Sequence, residues 1–118
     1  MDKQRIYDYI ESRRDALCEI SDRIWEYAEL SMEEYRSAQC YVEFLRKEGF
    51  QVEAPVAGIE TAFAASFGTG RPRIGILAEY DALSSLSQKA ECAFRAPEAE
   101  GGNGHGCGHN LLGAGALA

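Results

Sequence analysis

Apolar residues at Ile6, Tyr9, Ile10, Leu17, Ile20, Ile24 and Tyr27 recur at spacings of three and four, which predicts one amphipathic helix over residues 2–29. Residues 31–34 read Ser-Met-Glu-Glu, a capping box in which Ser31 and Glu34 satisfy each other's backbone donors, so a second helix is expected there. Tyr35, Ala38, Tyr41, Val42 and Leu45 continue its stripe, Arg46 and Lys47 suit the negative end of its dipole, and Gly49 is its expected stop. The period then changes to alternation in residues 50–53 and 61–67, which predicts two strands and a turn at Gly68-Thr69-Gly70. Residues 74–78, Ile-Gly-Ile-Leu-Ala, are apolar on both faces, as in an interior strand covered by helices on each side.

That strand should deliver Glu79 and Asp81 to its carboxyl end, where open α/β sheets put their sites, with Asp81 the better functional candidate. Glu79 could equally cap the following turn or face solvent. Residues 82–104 lack periodicity, and a loop of that length in a compact domain is expected to frame a site. From Asn110 onward, small and apolar residues predict a buried helix capped by Asn110 or its neighbour. No stop signal follows within the sequence, which therefore reads as the beginning of a larger protein.

Chemistry concentrates in residues 101–110, where two histidines, one cysteine and five glycines occupy ten positions. Thiolate and imidazole are ligands of borderline-soft divalent metals, and alternate glycines let near neighbours converge on one ion. Competing readings fit less well. No Gly-Lys-Ser/Thr follows the loop, which excludes a P-loop. The dinucleotide-like spacing of Gly113 and Gly115 sits inside a helix start, with no strand immediately before it. A cysteine nucleophile is disfavoured because Cys107 and His109 are two residues apart, whereas catalytic Cys and His are usually distant in sequence. A purely structural glycine loop stays open. The aromatic residues of the helices, Trp25 included, read as core.

Composition narrows the class. With 118 residues, 46% hydrophobic and 26% charged, the chain suits one globular domain. A net charge of -7 with scattered Lys and Arg argues against nucleic acid. The absence of a signal core or a membrane-length apolar run argues against a membrane, and four widely spaced cysteines fit a reducing, cytoplasmic setting. Cys18 and Cys40 fall in helical patterns, where buried reduced cysteine is common.

Three segments, Ile-Leu-Ala-Glu-Tyr-Asp-Ala-Leu at 76–83, Leu-Ser-Gln at 86–88 and Gly-Asn-Gly-His-Gly-Cys-Gly-His-Asn-Leu-Leu-Gly at 102–113, resemble the amidohydrolase branch of the M20 metallopeptidases. The resemblance extends along nearly the whole chain. It implies an α/β fold: two N-terminal helices, a β-hairpin, and central strands of a mixed sheet with helices on both faces. Residues 1–118 would be the N-terminal portion of a metallopeptidase-like catalytic domain, with the rest of that domain and a lid or dimerisation domain outside them. The implied metal ligands are Cys107 and His109. Asp81 is implied to orient a metal-ligating imidazole, without touching metal itself. Glu79 stands where other M20 branches carry a histidine ligand, and His105 is implied to be an oxyanion, substrate or structural contact.

The implied cofactor is a dinuclear zinc or manganese centre, and the implied reaction is hydrolysis of an amide bond in an N-acyl amino acid, aminobenzoyl-glutamate or a dipeptide-like substrate. The glutamate base belongs to a Glu-Glu pair beyond residue 118, so residues 1–118 alone are expected to be inactive and to bind metal weakly. Expected partners are the small amide substrate and a second copy or a related subunit. The competing class is a non-catalytic metal-binding or interaction subunit that pairs with a full-length hydrolase.

Overall fold

The computed structural model describes residues 2–118. In chain order these form α1 (Lys3–Ser12), α2 (Arg14–Tyr27), α3 (Tyr35–Lys47), β1 (Gln51–Glu53), β2 (Ala64–Ser66) and α4 (His109–Leu117).

The helix expected over residues 2–29 is two helices. Arg13 leaves helical geometry (φ -102°, ψ 0°) and its amide donates back to the Ile10 carbonyl. Two local forces favour the break. The Ser12 hydroxyl bonds the Tyr9 carbonyl at 2.6 Å, a back-bond that bends helices, and the Arg13 guanidinium pairs with Glu48 beyond α3. Apolar spacing is continuous through such a kink, so it could not reveal one. None of the residues of α1 is buried, whereas α2 buries Ile20, Ser21 and Ile24.

The capping box does not form. Helix α3 starts at Tyr35, and the carboxylate of Glu29 reaches across to accept the Arg36 and Ser37 amides at 3.1 and 2.9 Å and the Ser37 hydroxyl at 2.8 Å. A remote carboxylate thus satisfies orphan donors of the first turn, and they are the Arg36 and Ser37 amides, not the Glu34 amide that Ser31 was expected to take. Burial alone would raise the Glu29 carboxyl, but the bonds from Ser37 and Arg36 outweigh it and hold the group below its usual range. At the other end Phe50 N–H returns to Leu45 and Gly49 N–H to Arg46, a Schellman closure that requires the left-handed Gly49 (φ +88°).

Strands β1 and β2 pair antiparallel, Val52 opposite Ala65, as the alternation implied. The central sheet does not appear among the described residues. Residues 74–78 belong to no strand, with Ile74 86%, Ile76 74% and Leu77 95% exposed. A strand buried on both faces needs neighbours on both edges and helices above and below. The described residues supply only the two-stranded hairpin.

The core is Ile20, Ile24, Cys40 and Tyr41, formed where α2, α3 and α4 meet, with Tyr27, Phe44, Phe63, Tyr80 and Leu117 packed around it. Cys40 is buried, but Cys18, on the same kind of periodic helix, is exposed. Helix α4 packs chiefly on α2. It buries Asn110, Gly113 and Ala114 and leaves Leu111 and Leu112 exposed, so it is half-covered where full burial was expected. Gly108 in left-handed conformation (φ +74°) is its N-cap, and Asn110 lies in its first turn.

Candidate metal centre

Glu79 and Asp81 both lie against the His109 ring, whereas Tyr80 between them packs on the core. Tyr80 is anchored. Its ring lies 5.1 Å from Tyr41 and stacks on Phe63 at 6.3 Å, and its hydroxyl donates to the Thr61 carbonyl. Burial pushes that phenol up to about 12, so it remains a neutral donor. A fixed Tyr80 holds the chain between the two carboxylates.

The glycine loop is brought to them by backbone pairing. Leu83 and Gly104 exchange both amide bonds at 2.9 Å, and Ser87 N–H reaches the Gly102 carbonyl at 2.9 Å. Ala82 N–H bonds the Glu29 carbonyl at 2.7 Å, which ties the same arm to the end of α2. The close approach explains the glycines. A Cβ at Gly104 would sit 1.9 Å from the Leu86 carbonyl oxygen, and one at Gly106 2.4 Å from Leu86 Cδ1.

His109, at the first position of α4, lands between the carboxylates. Its Nδ1 lies 2.7 Å from Asp81 Oδ1 and its Nε2 3.3 Å from Glu79 Oε2. A carboxylate accepts, so Nδ1 donates to Asp81, which fixes the ring and leaves Nε2 facing the second carboxylate. Ligand atoms of Glu79, Asp81 and His109 all lie within 4.8 Å of one another, and this is the group of metal-binding character among the described residues. One imidazole and two carboxylates are donors that divalent metals accept. Cys107 is exposed and stands outside that group.

Sequence spacing pairs His109 with Cys107 and leaves Glu79 open, whereas the structure gathers His109 with Asp81 and Glu79. The signal for Glu79 is its separation of two from Asp81 in a segment that reads as extended. His105 is a structural contact: it is 5% exposed, its Nε2 lies 2.9 Å from the Ile24 carbonyl, and its ring stacks on Trp25 at 6.3 Å. Desolvation holds its imidazole below the usual range, which favours the neutral ring.

No protein-family model matches the chain. Among curated proteins it is 48% identical to a p-aminobenzoyl-glutamate hydrolase subunit of Escherichia coli, over 98% of this chain and 25% of that protein. It is 29% identical to thermostable carboxypeptidase 1 of Saccharolobus solfataricus, over 91% of this chain and 27% of the relative. It is 30% identical to the Xaa-Arg dipeptidase of Mus musculus, over 93% of this chain and 24% of the relative. The chain therefore spans about a quarter of the length of the curated relatives it matches. Alignment along nearly all of the chain with a hydrolase, a carboxypeptidase and a dipeptidase fits a fragment of an M20-type hydrolase or peptidase.

Proposed function

We propose that residues 1–118 are the first part of a metallopeptidase-like catalytic domain and carry part of the divalent-metal site of an amidohydrolase. The observation that carries this reading is the convergence of Asp81 and Glu79 on the two ring nitrogens of His109. His109 is a metal ligand through Nε2, and Asp81 holds the ring through Nδ1, orients it and raises its basicity. Cys107, two residues before His109 and accessible, is the second ligand. Glu79, across from Nε2, is the carboxylate available to the same ion. A zinc or manganese ion bound by these residues supplies Lewis acidity toward an amide carbonyl and makes water nucleophilic at neutral pH.

The substrate class is the amide of an N-acyl amino acid, aminobenzoyl-glutamate or a dipeptide, which the named activities of the E. coli and mouse relatives support. Further ligands of a dinuclear centre are supplied by sequence outside these residues. Four free cysteines fit a reducing, cytoplasmic setting. No helix of the described residues is long and apolar enough to cross a membrane.

Cobalt titration tests the reading. A thiolate-to-cobalt absorption band is expected in the wild-type chain and should vanish in Cys107→Ser, while His109→Ala should abolish binding. Binding unchanged in both variants would remove the proposal.

The competing reading, an interaction subunit that pairs with a full-length hydrolase, is favoured by the uncovered residues 74–78 and by the E. coli relative being one subunit of its hydrolase. A stable stoichiometric complex with such a hydrolase, its rate of aminobenzoyl-glutamate cleavage altered by this chain, would select it.

A further inference from the structure

His105 belongs to the glycine-histidine-cysteine motif, yet it is buried and is not part of the group formed by Glu79, Asp81 and His109. Because the Ile24 carbonyl can only accept, His105 Nε2 donates to it, and the ring is fixed as the Nε2–H tautomer. Its Nδ1 is buried with no partner among the described residues. An apolar residue would fill this position without leaving a buried acceptor unmatched, so the imidazole is retained for the bond it makes.

A matching contact lies on the far side of His109. The Asn110 amide nitrogen donates to Ser21 Oγ at 3.1 Å, and Asn110 is buried. Ser21 and Ile24 are three apart on α2 and therefore lie on one face of it. Between the two anchors run Gly106, Cys107, Gly108 and His109, so two buried tethers bracket the two residues assigned to metal. Glycine at 106 and 108 gives this stretch little stiffness of its own, and Gly108 sits at φ +74°.

We propose that His105 and Asn110 are positioning residues: they clamp both ends of the 106–109 segment to one face of α2 and thereby hold Cys107 and His109 in register with Asp81. This inference rests on the assignment of Cys107 and His109 as ligands.

The test compares His105→Leu, which keeps an apolar volume but loses the donor, with His105→Gln, whose amide reaches the position of Nε2. In the metal-free chain, hydrogen exchange is read at the amides of Gly108, Leu111 and Leu112, bonded at 3.0 to 3.1 Å to the loop and first helical turn, and compared with a urea melt. Cobalt affinity is read in parallel. In His105→Leu these amides should exchange about tenfold faster without a matching fall in the urea midpoint, and cobalt should bind about 10- to 100-fold more weakly, as when other outer contacts of metal ligands are removed. His105→Gln should recover most of both. Wild-type exchange and affinity in His105→Leu, or a Gln variant no better than Leu, would overturn the clamp. If the wild-type chain gives no cobalt–thiolate band, the ligand assignment falls, and the exchange comparison still decides whether the segment is clamped. Should the Leu variant unfold, Asn110→Ala carries the same comparison: faster local exchange with an unchanged melt supports the clamp, and unchanged exchange overturns it.

Discussion

Replacing Gly113 by alanine puts a single methyl where α4 crosses Tyr41, and its cost can be reasoned from the contacts. The new Cβ would lie 2.2 Å from the Tyr41 hydroxyl, 3.0 Å from its Cζ and 2.9 Å from the Glu79 carbonyl oxygen. Tyr41 is fully buried, so its ring cannot swing aside, and the Glu79 oxygen is backbone. Overpacking of this kind costs about 1–3 kcal/mol, against a gain of about 1 kcal/mol from alanine's helix propensity. Because neither the ring nor the backbone oxygen can give way, the overpacking cost lies at the upper end of that range, about 3 kcal/mol, and the net expectation is a loss of about 2 kcal/mol. Tyr41→Phe removes the nearest clashing atom. That hydroxyl is also buried without a hydrogen-bond partner among the described residues, so its removal alone should be neutral or stabilising by about 1 kcal/mol. Urea unfolding of the two single variants and the double variant closes a cycle in which Tyr41→Phe recovers at least half the cost of Gly113→Ala. Because the Cβ also presses on Glu79, Gly113→Ala should weaken metal binding as well. A Gly113→Ala variant as stable as wild type, or a cost untouched by Tyr41→Phe, would refute this packing.

Gly104→Ala should be severe, about 2 kcal/mol or more, because its Cβ meets the backbone oxygen of Leu86, whereas Gly106→Ala meets only a movable methyl and should cost about 1 kcal/mol or less; thermal melts of the pair decide. Glu29→Gln should cost about 1–2 kcal/mol by weakening the cap of α3. Because the Glu29 carboxyl is depressed in the fold, its contribution is present above the ordinary value of 4.5 and is lost as pH falls through the lower folded value; between those two values the wild-type chain should therefore lose stability on acidification more steeply than Glu29→Gln, as urea melts at stepped pH would read. Ile76→Lys should change stability by less than about 0.5 kcal/mol, since Ile76 is exposed, and a larger loss by chemical denaturation would mean that the segment is covered.

Local signals are legible where one element decides its own shape. The stripe of α3 from Ala38 to Leu45, its Gly49 closure and the alternation of β1 and β2 are set by residues close in sequence and form as their patterns predict, whereas Tyr35, first in the expected stripe, is exposed. What sequence does not show depends on distant partners. Glu29 replaces Ser31 as the cap because a turn from Leu30 to Glu33 carries its carboxylate over the α3 terminus. Residues 74–78 carry the composition of an interior strand, but composition cannot supply the neighbours that would bury it. At the site, Asp81 and His109 both stand out in the sequence, while their bond depends on the Leu83–Gly104 pairing that folds 28 positions of chain into contact. His105 is visible as part of a motif, but its role depends on a carbonyl 81 residues away.

The central claim is that His109, held by Asp81, binds a divalent metal. Cobalt or zinc titration of the wild-type chain beside His109→Ala and Asp81→Asn tests it most directly. The account predicts measurable binding in the wild type, none in His109→Ala, and affinity reduced about 10- to 100-fold in Asp81→Asn, where the amide cannot replace the orienting carboxylate. Equal binding in all three proteins would contradict it.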